Sequence, residues 1–400
     1  ATVLVNTVKD NKTRYTNAEV VKAEYARALQ RRLGHVTMRE FIRIVTNNLL
    51  PNCPVTKGDI IAAEDIFGPD LGSLKGKTVR RPPNQVDTAM TYNPLPMRVY
   101  QRNRKVTLGG DIMKINGIPM MVTTSLKIKF GSVEYLNSQT AARMTQAIKS
   151  VLQVYQSGGF RVRRMMMDGQ FECLRGALLE MGVILNTTSR DEHVGFVERY
   201  QRVLKERSRC SFNTVPFKMM TDRMVIELAC KVVFFLNAFP PKDGISKTLS
   251  PRTIVTGKVL NHDRHCQYEF GEYVQTHEEH DNSMTARTIG ALAMRPMGND
   301  QGGYYFLSLE SGKILKRDRA TKLPMPNDVV DRVHRMARQQ KANPGLAFLD
   351  RNNQPYDDDI DVGDDDDDSD EDESYHPGDD MDDDNEEDDD DDTYHPEVEA

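Results

Sequence analysis

Cysteine is scarce in this 400-residue chain. The five present (Cys53, Cys173, Cys210, Cys230 and Cys266) are scattered and odd in number, which argues against a disulfide framework and for a reducing compartment. No apolar run reaches about 18 residues and no signal peptide is legible, so neither a membrane span nor export is expected. Lys and Arg are missing altogether from Asp357 to the end. The net charge of −7 therefore averages two opposite stretches: 27 of the 60 acidic residues lie from Asp357 onward, leaving 33 acids against 53 bases before it. A body this basic predicts a polyanionic partner, most simply nucleic acid. The acidic stretch repeats Tyr-His-Pro (375–377 and 394–396) between Asp blocks. Nothing in it can bury a core, so a disordered tail is expected.

Residues 15–76 read as a helical module. Asn17 is placed to cap a helix over Ala18–Leu33 that stops at Gly34-His35, Thr37-x-x-Glu40 opens a second, and Thr56-x-x-Asp59 a third that ends at Gly68-Pro69. Lys75-Gly-Lys-Thr78 invites a phosphate-loop reading and fails it: Gly72 and Gly76 are one residue too close, and no strand precedes them. Residues 77–104 are polar, Pro-rich and basic, a linker.

Residues 105–258 alternate strand and helix patterns. Val106–Ile115, the Asn116-Gly117 turn, Ile118–Leu126 and Ile128–Tyr135 predict an antiparallel meander. Asn137 or Ser138 caps a helix with Met144, Ile148, Val151, Leu152 and Tyr155 on one face. Phe160–Met167 is a strand that delivers Asp168; a short helix, the strand Val183–Asn186 and the helix carrying Glu198 follow, then a long helix over Phe217–Phe239 behind Pro216. The fold class is α/β, a mixed five-stranded sheet flanked by helices. Beyond it, Tyr268–Thr276, Thr288–Met294, Gly303–Ser308 and Ile314–Asp318 predict a small β-barrel over 265–325. A basic helix (326–345) and the acidic tail (346–400) complete the chain.

The candidate chemistry lies in three carboxylates. Asp168 ends a strand, Glu198 stands on a helix 30 positions later, and Asp111 occupies an earlier strand. Such a set suits two Mg²⁺ or Mn²⁺ ions about 3.5–4 Å apart, which activate an attacking oxygen and stabilise a leaving one at phosphorus. Glu198, Arg202, Lys205 and Arg209 recur at helical spacing on one face, and with Arg199 they are the candidate phosphate contacts. A solvated basic helix face is the bland alternative. Other clusters carry less. His35 and Cys53 lack two further zinc ligands nearby; His262, His265, Cys266, His277 and His280 match no common finger and have strands running through them; Tyr356-Asp-Asp-Asp has no flanking apolar strands.

These residues carry a family resemblance. Leu29-Gln-Arg-Arg-Leu-Gly34-His35 resembles the segment that precedes the integrase of copia-type LTR retrotransposons. Gly110-Asp111-Ile-Met, Met167-Asp168-Gly-Gln-Phe171 and Val197-Glu198-Arg199 resemble the three catalytic blocks of that integrase, and Lys247-Thr-Leu-Ser250-Pro251-x-x-Ile-Val-x-Gly257 the stretch that closes its core. The similarity spans about residues 15–325. It implies an RNase H-like fold with an SH3-like C-terminal domain, divalent metals on Asp111, Asp168 and Glu198, and insertion of element DNA into target DNA. It further implies a homo-multimer, cytoplasmic synthesis within a polyprotein, and work in the nucleus. The tail is separately open: it would suit basic chromatin proteins, shield the basic body as a DNA mimic, or serve as a linker. Three departures stand out. Gln30 and Thr56 occupy places where the family's zinc module has a His and a Cys. The interval between Asp168 and Glu198 is shorter than in many members. The Gln or Asn usual just before the Glu is missing, with His193 the nearest polar residue. A domesticated or decayed element protein that binds DNA or chromatin without turnover is the alternative reading.

Overall fold

The computed structural model describes residues 5–79, 95–188, 194–279, 283–350 and 353–354. Residues 355–400 of the expected acidic tail, part of the linker, His193 and His280 lie outside the described residues, while the start of that expected tail, at Phe348–Leu349, forms a strand. Among those described, no helix is long and apolar enough to cross a membrane.

Five helices form the first module: α1 (Val8–Lys12), α2 (Asn17–Arg32), α3 (Met38–Thr46), α4 (Lys57–Phe67) and α5 (Leu71–Lys77). The expected cap at Asn17 belongs instead to Thr16. Its hydroxyl accepts from the Glu19 N–H while the Glu19 carboxylate accepts from the Thr16 N–H; Asn17 has Val20 at the equivalent position and cannot make that reciprocal pair. Thr37 and Thr56 cap α3 and α4 as their spacing predicts. Gly68 ends α4 at φ +68°, a conformation with no Cβ penalty for glycine. Ala23, Ala26, Phe41, Ile60, Ala63 and Ile66 fill the centre of the module.

The middle of the chain gives α6 (Met97–Asn103), β1 (Lys105–Ile115), β2 (Ile118–Ser125), β3 (Gly131–Tyr135), α7 (Ala141–Ser157), β4 (Arg161–Asp168), α8 (Arg175–Glu180), β5 (Ile184–Thr188), α9 (Gly195–Asn213), α10 (Asp222–Leu236) and α11 (Pro251–Thr256). The sheet runs β3-β2-β1-β4-β5. β2 is antiparallel to both neighbours, while β1, β4 and β5 are parallel. This is a mixed sheet flanked by helices, consistent with the RNase H-like core that the resemblance implies. Several bounds differ from expectation: α7 is capped by Thr140, not by Asn137 or Ser138, and the strand expected from Tyr268 starts at Tyr273. The strand expected from Ile128 starts at Gly131, because Lys129 turns the chain at φ +62° and the Ser125 hydroxyl accepts from the Phe130 N–H. The helix expected from Phe217 starts at Asp222 behind its Thr221 cap. Phe217 and Met220 are buried in a non-helical approach instead, pinned where Met219 bridges Pro344.

The last part contains α12 (His262–His265), β6 (Tyr273–His277), β7 (Thr288–Pro296), β8 (Tyr304–Ser308), β9 (Ile314–Arg317), β10 (Ala320–Lys322), α13 (Asn327–Gln339) and β11 (Phe348–Leu349). β6 to β10 make a second, antiparallel sheet in the order β10-β6-β7-β8-β9. β11 returns to the first sheet and pairs with Lys114 and Ile115 at the far end of β1.

Two apolar cores sandwich the first sheet. Leu108, Ile112, Met165 and Met167 face α7 and its neighbours Ile148, Val151 and Tyr155. Met113, Ile115, Met120 and Val122 face Leu204 of α9 and Met224, Leu228 and Val232 of α10. Each such side chain taken from water contributes about 1.5–3 kcal/mol, and the alternation along β1 decides which residues look toward α9.

Candidate active site on the first sheet

β1 and β4 bring two carboxylates side by side. Their parallel register, reset by an irregularity after Val106, runs from Thr107 opposite Arg164 to Gly110 opposite Met167. Asp111 and Asp168 each come next on their strand, and adjacent strands lie about 4.8 Å apart. Leu108 and Ile112 point to the α7 core and Met113 to the α9 core. Side-chain alternation therefore directs Asp111 toward α9, and Asp168, next after the α7-facing Met167, to the same side. Both are half-buried.

α9 is seated on that face by two glycines. A Cβ at Gly109 would lie 2.5 Å from Phe196 Cζ and nearer still to Val197 Cγ2, so only hydrogen fits beneath the first turn of α9. At Gly131 on β3 a Cβ would strike the ring of Tyr200. The Tyr200 phenol is buried, and burial pushes its pKa up. Gln201 Nε2 donates to Asp111 Oδ2 at 3.1 Å. Glu198 stands three residues before Gln201, hence one turn away on the same side of the helix, and is half-buried like the two aspartates. So β1, β4 and α9 bring Asp111, Asp168 and Glu198 to one face of the sheet.

The basic row on α9 is not a uniform solvent face. Arg199 is exposed and Arg202 half-buried, whereas Lys205 is buried at 5 % exposure along with Val197, Gln201, Leu204 and Ser208. The Arg209 guanidinium lies 5.2 Å from the ring centroid of Phe348 on β11. Glu172, in the turn that follows Asp168, is also acidic but committed: hydrogen bonds from Arg175 hold its carboxyl below the ordinary value, and Thr187 Oγ1 donates to it as well.

Hard carboxylate oxygens on one face suit a divalent cation in donor chemistry. No three His, Cys, Asp or Glu side chains among the described residues stand close enough together to hold a metal ion. The His/Cys stretch near 262–277 is also dispersed. His265 is buried and bonded to the carbonyls of Asn261 and Asn299, His277 bonds Thr321, and His262 and Cys266 are exposed. Lys77 of the phosphate-loop look-alike donates to the His35 carbonyl.

Gln201 and Gly109 are the site residues that sequence reasoning missed. The first was legible only as an amide at i+3 from Glu198, and the second as a small residue at i−2 from Asp111.

No protein-family model matches the sequence, and no curated protein matches it. Among solved structures, 37 % of this chain is similar to 92 % of the catalytic core domain of BIV integrase, at 17 % identity and a TM-score of 0.29. The HTLV-2 integrase catalytic core in complex with magnesium is similar at 13 % identity in its dimeric form, over 37 % of this chain and 92 % of that one, with a TM-score of 0.29. Its trimeric form gives 14 % identity over 37 % and 95 %, with a TM-score of 0.28. Likeness this distant leaves the site to be read from its own geometry.

Proposed function

We propose that this chain is the integrase of a copia-type retrotransposon, a metal-dependent polynucleotidyl transferase that trims element DNA ends and joins them to target DNA. The observation that carries the reading is the register: Asp111 and Asp168 follow the Gly110–Met167 pair on parallel strands, on the face where α9 presents Glu198. Three carboxylates on one face of a mixed sheet, in the order of the resembling motifs, support it. Asp111, Asp168 and Glu198 would supply the carboxylate oxygens for Mg²⁺ or Mn²⁺ once drawn together around it, and the ion when bound would supply an activated oxygen and charge neutralisation at phosphorus.

The protein's own part is positioning. The Gln201 amide fixes one oxygen of Asp111, and Gly109 keeps α9 close enough to hold Glu198 on the same face. Arg199 and Arg202 reach the surface where a phosphate backbone would pass, whereas Lys205 is buried and the Arg209 guanidinium lies against Phe348; the second sheet is a further DNA-binding surface. In trimming, water would displace a 3′-oxygen from phosphorus and leave a free 3′-hydroxyl; that oxygen would then form a bond to a target phosphorus as the target strand's own 3′-oxygen leaves. The HTLV-2 cores are described in dimeric and trimeric forms, and a homo-multimer is proposed here as well. Work in the nucleus follows from the target, and the acidic tail suits basic chromatin proteins.

The test is strand transfer of a labelled duplex by the purified chain in Mg²⁺ or Mn²⁺, with Asp168→Asn alongside. Longer products from wild type and none from the variant are expected. A second reading, a decayed element protein that binds DNA without turnover, is favoured by Gln30 and Thr56 in place of zinc ligands. It takes over if neither protein gives product while both bind DNA.

A further inference from the structure

One guanidinium draws the first module together. The Arg27 side chain, on α2, is 7 % exposed. Its Nη1 donates to Gln30 Oε1 at 3.0 Å, and its Nη2 lies 3.0 Å from the Ala63 carbonyl, 3.0 Å from Glu64 Oε2 and 2.6 Å from the Gly68 carbonyl. Ala63 and Glu64 lie in the last turns of α4 and Gly68 is its cap, at the negative end of the helix dipole. Arg27 thus closes the C-terminus of α4 from a neighbouring helix, with Glu64 as its counter-charge. Asn11 reaches the same end from α1, donating to the Asp65 carbonyl at 2.9 Å.

The four places where the resemblance implies zinc ligands are otherwise engaged. Gln30 accepts from Arg27 and passes the network on, its Nε2 donating to the Val36 carbonyl at 2.8 Å. His35, held at φ +60°, puts Nδ1 2.6 Å from Asp70 Oδ2, and Gly72 leaves room for its ring. Asp70 is buried, caps α5 through the Ser73 N–H, and has Arg31 Nε 3.6 Å from its other oxygen. The Thr56 hydroxyl belongs to the α4 capping box, and Cys53 packs half-buried at the edge of the core. An amide and a hydroxyl are not the imidazole and thiolate that a structural zinc site takes. The donor set does not fit zinc.

We infer that Arg27 stands in for the metal: the α2–α4 junction is held by a buried guanidinium, and the module folds and persists without zinc. A zinc-built module loses its fold to chelators because metal binding is its folding free energy. This one draws on hydrogen bonds and an ion pair that a chelator cannot touch.

The full chain, expressed with zinc in the medium, is assayed for bound metal and melted with and without a strong chelator. No stoichiometric zinc and an unchanged midpoint are expected. Recovered zinc at one per chain, or a midpoint lowered by chelation, would overturn the inference, and neither depends on a variant. Arg27→Lys, which keeps the charge but cannot reach acceptors on two sides, is expected to expose residues 15–76 to limited proteolysis with chelator-independent kinetics. Wild-type resistance in that variant would also refute the role given to the guanidinium.

Discussion

Replacing Gly109 by alanine tests the geometry that brings Glu198 to Asp111. The added Cβ falls 2.5 Å from Phe196 Cζ and 2.7 Å from Phe196 Cε2, with Val197 closer still. Carbon atoms prefer about 3.5–4.0 Å, so the first turn of α9 must rise by roughly 1 Å. Val197 is 1 % exposed and β-branched, with little freedom to swing away. Overpacking of this kind costs about 1–3 kcal/mol. Loss of glycine from a strand returns roughly 0.5–1 kcal/mol, leaving a net cost of about 0–2.5 kcal/mol. At about 1–2 °C per kcal/mol for a chain of this length the melting midpoint should fall by at most roughly 5 °C. A shift of about 1 Å at a reacting group costs on the order of 100-fold in rate, so strand transfer should fall far more than stability does. Gly110→Ala is the internal control. Its Cβ would meet the Met167 and Met165 methyls at 3.1 and 3.3 Å, flexible ends that can move, and Thr123 Cγ2 at 3.4 Å, an ordinary contact. Differential scanning fluorimetry and strand transfer on both variants decide the matter. Equal behaviour of the two alanines would refute the seating of α9 by Gly109.

Gln201→Leu removes the donor to Asp111 while keeping the buried volume, and strand transfer should fall by about 10–100-fold with a raised metal requirement; an unchanged metal titration would remove Gln201 from the site. Arg199→Ala should weaken DNA binding evenly across sequences and lower the salt slope by about one, read by filter binding, and an unchanged slope would detach Arg199 from the phosphate path. For Asp70, burial pulls the carboxyl upward, but the hydrogen bonds from His35 and Ser73 hold it below its ordinary value. A depressed folded pKa contributes stability above the unfolded value, about 3.9, and loses it as pH falls through the folded one. Wild type should therefore melt above Asp70→Asn at neutral pH, and the gap should close below about pH 4. A gap that persists in acid would assign the effect to capping of α5 alone.

Much of the architecture was legible because its periodicities are clean. The Asn116-Gly117 turn, the strand ending in Asp168 and the apolar stripe of α7 all came through where the patterns put them. Phe217–Met220 did not. An apolar run buried on every side reads equally as helix or as irregular core, and only the Thr221 cap and the bridge to Pro344 separate the two. β10 is three residues long and β11 two, too short for any alternation to show. Within the site, Asp111 and Asp168 were visible as carboxylates in strand patterns. Gln201 was not, because an amide on a helix looks solvated until the helix is laid against a strand. Lys205 misled in the opposite sense: helical spacing put it among the phosphate contacts, yet its neighbours Gln201, Leu204 and Ser208 make that side the packed one.

The return of β11 to β1 sets an order on synthesis. Asn116 clasps the returning segment at both ends of its amide: Nδ2 donates to the Gly345 carbonyl at 3.2 Å and Oδ1 accepts the Ala347 N–H at 2.7 Å. Lys114 donates to Asn353, 239 positions away, at 2.8 Å. The strand bearing Asp111 thus gains β2 along one flank within a few residues of being made and β4 along Lys105–Gly110 on the other, while the Lys114–Ile115 end of that second flank waits for Phe348 and Leu349. That end of β1 stays without its partner strand through most of translation, and contacts of such long range are slow to close. Emergence of residues 345–353, rather than of the central sheet, is the moment at which the far end of the carboxylate strand is locked.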